Sequence, residues 1–295
     1  MLTSSITDYI GCRKGTPNAD GSYSWSTEKI VLSPTSGTWD AQNVCDPTVI
    51  KGVFNYNGTE YSYLMAYLGC TSTNSQDNKI GLAVANDPMG PFVKVGTEPL
   101  VDFVRDSSSN DFQWGVGQAS LISIDKAGKV WLFYTRGEVS GTKTVVRECD
   151  FSNLNAPLMS DEVKVSTSGL TNLNGKSDYM NNADFVYDPD NYRFYSASDC
   201  HPYPTDNPDY ISSTFRVNYF NGTKLNIGTW RSLALVGPEE TGWARNHDVG
   251  LVRDEYGHLY NKDYITVYYT VGKTVNSWSK SEWTYRIYEY NIELK

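Results

Sequence analysis

Apolar residues along this chain recur at a period of two, and no stretch carries the 3.6-residue period of an amphipathic helix. Four segments share one layout. "NVCDPTVIKGVF" is followed by "EYSYLMAY", and "WGVGQASLISID" by "KVWLFYTRG". "MNNADFVYDPD" is followed by "YRFYSASD", and "ARNHDVGLVRDEYG" by "YITVYYTVG". Each unit has a polar head, an apolar strand, a turn rich in Gly, Asn or Asp, and an aromatic second strand. Further strands follow, as in "KIGLAVAND" and "GPFVKVG" of the first unit or "STFRVNYF" and "RSLALVG" of the third.

With Asp46, Gln118, Asp184 and Asp248 as markers, the units repeat at 72, 66 and 64 residues. Recurring four-stranded units predict an all-β chain folded as a β-propeller, one domain over residues 1–295. In that architecture the innermost strand of each blade lines the axial channel. A carboxylate heading such a strand is aimed at a shared funnel while the rest of the strand packs between blades. Residues 1–35 read as outer strands without an inner strand of their own, and the last unit shows three strands. Two arrangements fit: five blades with an incomplete first one, or four with the N-terminal pair closing the ring.

Composition narrows the function. Of 295 residues 39% are hydrophobic and 20% charged, so the chain is globular. The net charge of −9 comes without a basic stripe, which excludes a nucleic-acid partner. No apolar run is long enough to suggest a membrane span. There are 22 Tyr and 8 Trp against 10 Phe, rings that suit half-buried strands and surfaces that stack on sugars. The five Cys show no CxxC or Cys/His metal spacing and are expected as free thiols, Cys45 buried between blades. Asn57 and Asn221 stand in "NGT", read first as hairpin turns and second as glycosylation acceptors.

The stretch "DPTVI…YSYLMAY…KIGLAVANDPMGPFVKV" resembles the blades of the five-bladed propeller glycosidases, glycoside hydrolase family 43 with families 32, 62 and 117. "GVGQASLI…KVWLFYT" and "NHDVGLVRD" look like further blades of that kind. The resemblance spans about Trp39 to Tyr269 and favours five blades, with four as the alternative. It implies hydrolysis of a poly- or oligosaccharide by an acid and a base carboxylate, with inversion. It also implies a secreted or periplasmic setting. The family pattern has an Asp base, a second Asp that tunes it, and a Glu acid on separate blades. In one register Asp46 takes the base position, Gln118 falls where the family has Asp, and Asp184 where it has Glu. In the other, Asp46 is the tuning Asp and Gln118 replaces the acid. The first needs fewer losses, so Asp46 and Asp184 are the expected catalytic pair, with Glu240 of "GPEETGW" as a loop-borne acid. No cofactor is implied, although a central structural cation on His247 is one option within the resemblance.

Around these carboxylates the expected sugar-binding residues are Trp39 and Trp114 before strand heads, Gln118, Arg136, Asn182, Arg245, His247 and Asp248. Gln cannot move a proton, and the absence of a clear Glu keeps a non-catalytic carbohydrate-binding propeller as the alternative. A protein-interaction propeller lacks its usual repeat signatures here. The oligomeric state stays open.

Overall fold

The computed structural model describes residues 9–72, 76–274 and 286–294. The N-terminal strands β1 (Ile10–Cys12), β2 (Gly15–Pro17), β3 (Tyr23–Trp25) and β4 (Lys29–Leu32) form two short antiparallel pairs, β1 with β4 and β2 with β3. Four larger sheets follow. The first blade is β5 (Asn43–Tyr56), β6 (Thr59–Cys70), β7 (Lys79–Ala85) and β8 (Val93–Lys94). The second is β9 (Gly115–Ser123), β10 (Lys129–Glu138), β11 (Gly141–Asp150) and β12 (Leu158–Met159), with β13 (Val163–Lys164) also on β11. The third is β14 (Asp184–Asp188), β15 (Arg193–Asp199), β16 (Phe215–Asn221) and β17 (Arg231–Val236). After a single turn of helix, α1 (Pro238–Thr241), the fourth is β18 (Arg245–Leu251), β19 (Tyr264–Gly272) and β20 (Arg286–Glu293).

Each of the four larger sheets is a meander in sequence order, innermost strand first, with β13 as an addition on β11, the topology of propeller blades. The period-two pattern serves two seams at once, because a blade is covered on both faces. In β10, Val130, Leu132 and Tyr134 pack toward the first blade, while Trp131 and Phe133 pack toward the third. Phe133 stacks on Phe185 across that seam with ring centroids 4.1 Å apart. Such a buried pair adds roughly 0.5–1.5 kcal/mol beyond its area term. A third seam joins Val186 and Val217 to Val267 and Tyr269. The β1–β4 pair covers the free face of the first blade, with Ile10 and Leu32 on Val44, Met65 and Tyr67. Among the described strands, β1 and β4 pair only with each other, and four inner strands reach the axis.

The Asn57-Gly58 turn has φ of 50° and 77°, the doubly left-handed geometry of a two-residue hairpin loop, as expected from its sequence. Asn221 instead ends β16 ahead of a longer loop.

The link between β18 and β19 floors the channel. Glu255 O accepts from Lys51 N at 2.6 Å, Tyr256 O from Ser123 N at 2.8 Å, and Gly257 O from Tyr187 N at 3.2 Å. One loop is thereby laced to three inner strands. Gly257 sits at φ 81°, where an added Cβ would lie 2.8 Å from Leu121 O. Gly257→Ala is therefore expected to destabilise the fold by about 1–3 kcal/mol. Urea unfolding checks this, and an unshifted midpoint would mean that the floor yields to the methyl group.

Candidate active site in the propeller funnel

All four inner strands carry the same bulge. In β5, Cys45 pairs with Leu68 and Thr48 with Ala66, so Asp46 and Pro47 together oppose Tyr67. In β9, Gln118 and Ala119 oppose Tyr134, and in β18, Asp248 and Val249 oppose Tyr269. In the third blade, Asp199 N donates to Asn181 O at 3.1 Å, so Asn182 and Ala183 stand opposite Ser198. The first bulge residue is left-handed each time: Asp46 at φ 48°, Gln118 at 55°, Asn182 at 46° and Asp248 at 49°. Asp and Asn visit this region more readily than other L-residues because their short side chains bond locally. Bulges of this kind re-aim a side chain beside functional sites. The true member of the repeat in the third blade is thus Asn182, and Asp184 lies one step deeper.

The ring of bulges faces two contiguous spaces. The mouth is a cleft of about 380 Å³, lined by Asn43, Cys45, Asp46, Asn78, Trp114, Gln118, Asn181, Asn182, Tyr203, Tyr210 and His247 among others. Below it an axial cavity of about 320 Å³ is lined by Asp46, Thr48, Gln118, Asn182, Asp184, Asp248 and Arg253. The four sequence markers do share one cavity, as their alignment implied. Cys45 departs from expectation: it is half-buried and lines the cleft rather than lying between blades. The bulge breaks strict alternation, so Cys45 and Asp46 both turn inward, and the thiol donates a hydrogen bond to the carboxylate.

Charges in the ring are unequal. Asp46 is exposed to the funnel and lines both spaces, where the neighbouring strands replace part of its water. That desolvation and the charge of Asp248 raise its pKa to about 6, against the pull of His247 and the Cys45 hydrogen bond. His247 lies between two carboxylates, Nδ1 2.9 Å from Asp199 and Nε2 3.2 Å from Asp248. Burial opposes its charge, yet Asp199 and Asp248 outweigh burial and raise its pKa to about 9. The imidazolium's contribution to folding is complete below about pH 6.5 and lost as pH rises through about 9. Asp248 is also raised, chiefly by desolvation, with the His247 charge pulling the other way. Asp199 is buried, and its Oδ2 accepts from Asn182 Nδ2 at 2.7 Å and Tyr203 OH at 2.8 Å.

Several residues expected at the site do other work. Asp184 accepts from Ser120 Oγ at 2.7 Å, Leu251 N at 2.9 Å and Phe185 N at 3.0 Å, and pairs with Arg253 at 3.2 Å. Its oxygens are filled, which suits a structural carboxylate and not a proton donor. Glu240 lines neither space; its carboxylate accepts from Gly237 N at 2.7 Å and caps α1. Trp39 is packed on Tyr67, 5.6 Å between centroids, under the N-terminal pair, so it presents no platform to the funnel. Arg136 is held by Glu138 and Glu162. Arg245 is buried on Asp206 and the carbonyl of Pro208, and so positions the loop that carries Tyr203 and Tyr210. Gln118 accepts from Asn182 N at 2.9 Å and donates to its side chain, a clamp between neighbouring blades. Trp114, Asn182, His247 and Asp248 do border the funnel. Sequence reasoning missed Asn78, Asp199, Tyr203 and Arg253. The first three lie on second or third strands or in loops, and Arg253 sits in what reads as a turn.

A cation on His247 does not fit this donor set. A metal ligand needs an imidazole nitrogen that is free to coordinate, whereas Nδ1 lies 2.9 Å from Asp199 and Nε2 3.2 Å from Asp248. No cluster of three or more His, Cys, Asp or Glu suited to a metal occurs among the described residues.

Solved structures place the architecture. A thermostable family-43 glycoside hydrolase superposes over 92% of this chain and 78% of its own at a TM-score of 0.52 and 16% identity. The fold is that of the β-propeller glycosidases. The α-L-arabinofuranosidase of Lactobacillus brevis matches over 97% of this chain and 83% of its own, with a TM-score of 0.59 and 8% identity. An N-acetylgalactosamine deacetylase from F. plautii, solved with blood group B trisaccharide, matches over 95% and 80%, at 0.54 and 13%. No family model and no curated protein matches the sequence. At these identities the likeness carries the fold, and the reaction must be argued from the funnel itself. Among the described residues no helix is long and apolar enough to cross a membrane.

Proposed function

We propose that the protein is a glycoside hydrolase that takes a poly- or oligosaccharide into the funnel and cleaves it with Asp46 and Asp248 as acid and base. The observation that carries this reading is the pair itself: two carboxylates from different inner strands, facing one floored cavity in unequal surroundings. Desolvation raises both carboxyls, and what differs is the contact each makes: the His247 imidazole lies 3.2 Å from Asp248. His247 is in contact with Asp248 and favours its ionised form, which suits a base. Among the described residues Asp46 has no cation in direct contact, and it holds its proton up to about pH 6, which suits an acid. An inverting mechanism needs a water between base and sugar, with carboxyls roughly 6.5–9.5 Å apart. The axial cavity of about 320 Å³ leaves room for that water. Asp199 and Tyr203 orient His247, and Gln118 with Asn182 offers amides to sugar hydroxyls. A polymeric substrate would put the enzyme outside the cytoplasm.

One feature favours a second reading, a sugar-binding propeller without turnover: among the described residues no Glu borders either space. Both readings meet the same experiment. Aryl glycosides and arabino- and galacto-oligosaccharides are assayed for cleavage and, by calorimetry, for binding. Cleavage with an inverted anomeric product supports hydrolysis, binding alone supports the second reading, and neither result removes both. For an active enzyme the pH–rate profile follows from the roles. The acid must stay protonated, so activity falls as pH rises through about 6. An alkaline limb near pH 8 or above would reject Asp46 as the acid.

A further inference from the structure

We infer that Asn78, Phe112 and Trp114 form a sugar subsite on the wall between the first two blades, for a neutral, hydroxyl-bearing ring removed from the bond that is cleaved. The inference rests on the glycosidase reading of the funnel and adds to it a residue that sets how the enzyme reads chain length.

Asn78 is only 6% exposed and borders the mouth cleft, yet its Oδ1 has no hydrogen-bond partner among the described residues. A buried carbonyl left without a donor costs roughly 1–3 kcal/mol. Such an oxygen is explained by a donor that arrives with a ligand. Its position is fixed by the seam between blades. Asn78 N donates to Trp114 O at 3.3 Å, and Val116 N donates to Asn78 O at 2.9 Å. Gly115 permits this approach, since a Cβ there would lie 2.4 Å from Asn78 O, at φ 98°.

The rings beside it are built to match. Trp114 N donates to Gly137 O at 3.2 Å, and the indole lies against Gly137, where a Cβ would come within 2.0 Å of Nε1. The indole is therefore held in place and half-exposed at the cleft. Phe112 is 65% exposed on the same lining, an aromatic with no packing role that accounts for its exposure. A sugar ring offers the complement: an apolar C–H face for the aromatics and a hydroxyl proton for Oδ1. The wall is neutral, its other members being Asn43 and Cys70, so it suits an uncharged ring. Asp46 and Gln118, from the inner strands of the first two blades, line the same cleft, as do Asn181, Tyr203 and Tyr210 of the third-blade segments. A glycan crossing the funnel would reach the Asn78 wall to one side of the carboxylates.

The test uses arabino- and galacto-oligosaccharides of increasing length. In the wild type kcat/KM should rise with length. Asn78→Ala and Phe112→Ala should each flatten that rise through KM, by roughly 2–10-fold on the longest substrate, the size of one hydrogen bond or one stacked ring. Asp46→Asn should lower every length by one common factor and keep the rise. If the wild type binds without cleaving, the same slope is read in Kd. Melting curves confirm that the Asn78 variant folds, and Phe112, being exposed, supplies an independent arm. Two folded variants with an undiminished length dependence would overturn the subsite and leave the glycosidase reading standing. A wild type that neither cleaves nor binds the panel overturns both.

Discussion

Asp46→Asn is expected to lower turnover of a confirmed substrate by roughly 10²–10⁴-fold, the usual share of general acid–base catalysis, with no loss of thermal stability. The two halves of that result have separate causes. Catalysis fails because an amide cannot deliver the proton that Asp46 holds at a pKa near 6. The fold survives because Asn is at ease at positive φ, and the third blade already carries Asn182 at φ 46° where Asp46 has 48°. The substitution turns one bulge of the ring into a copy of another. The linkage sign points the same way. A carboxyl whose folded pKa lies above its unfolded value of 3.8 makes the native state lose stability as pH rises from about 4 to about 6. Above that window the Asn variant is spared this loss, so it should melt at or above the wild-type temperature at pH 7. Turnover at the wild-type rate would remove Asp46 from the chemistry. A large drop in melting temperature would show that the bulge depends on the carboxylate.

The same bulge explains what the sequence revealed and what it hid. Period-two alternation and the turns located the inner and second strands of all four blades, and "NGT" at Asn57 located a hairpin. The heads Asp46, Gln118 and Asp248 were legible because polar residues break otherwise apolar strands. In "MNNADFVYD" that logic selects the carboxylate, Asp184, over the amide two residues earlier. The extra residue of a bulge leaves no mark on alternation read from one side of a pair. What would have exposed it is the shared triplet: Asp-Pro-Thr, Gln-Ala-Ser, Asn-Ala-Asp and Asp-Val-Gly align when Asn182 is the marker. Shifted so, Thr48, Ser120 and Asp184 form a second tier under the ring, and the structural role of Asp184 follows. Asn78 and Asp199 carry no comparable signal. Their place at the funnel is set by strand pairing across tens of residues, which no local pattern encodes.

The other large effect belongs to that second tier. Arg253→Met is expected to destabilise the protein by about 2–4 kcal/mol, near the lower end of what breaking a buried ion pair costs. Arg253 reaches into the axis from the floor. Its guanidinium donates to Thr48 Oγ1 at 2.6 Å, to Asp184 Oδ1 at 3.2 Å, to Ser120 Oγ at 3.3 Å and to Phe185 O at 3.3 Å. One side chain that follows the fourth inner strand thus ties the other three. Arg253 and Asp184 are only 15% and 17% exposed, so solvent screens their pairing weakly. Met fills much of the volume but leaves the Asp184 charge and the Thr48 hydroxyl without their partner. The cost should therefore lie mainly in the orphaned carboxylate, and a double variant separates this from simple loss of packing. Asp184→Leu together with Arg253→Met should recover part of the loss, because removing both partners of such a pair is less damaging than removing one. A double-mutant cycle read by urea unfolding gives the coupling directly. A double variant that costs as much as the two single losses added would mean that the pair contributes nothing as a pair, and that the floor is held by its backbone hydrogen bonds alone.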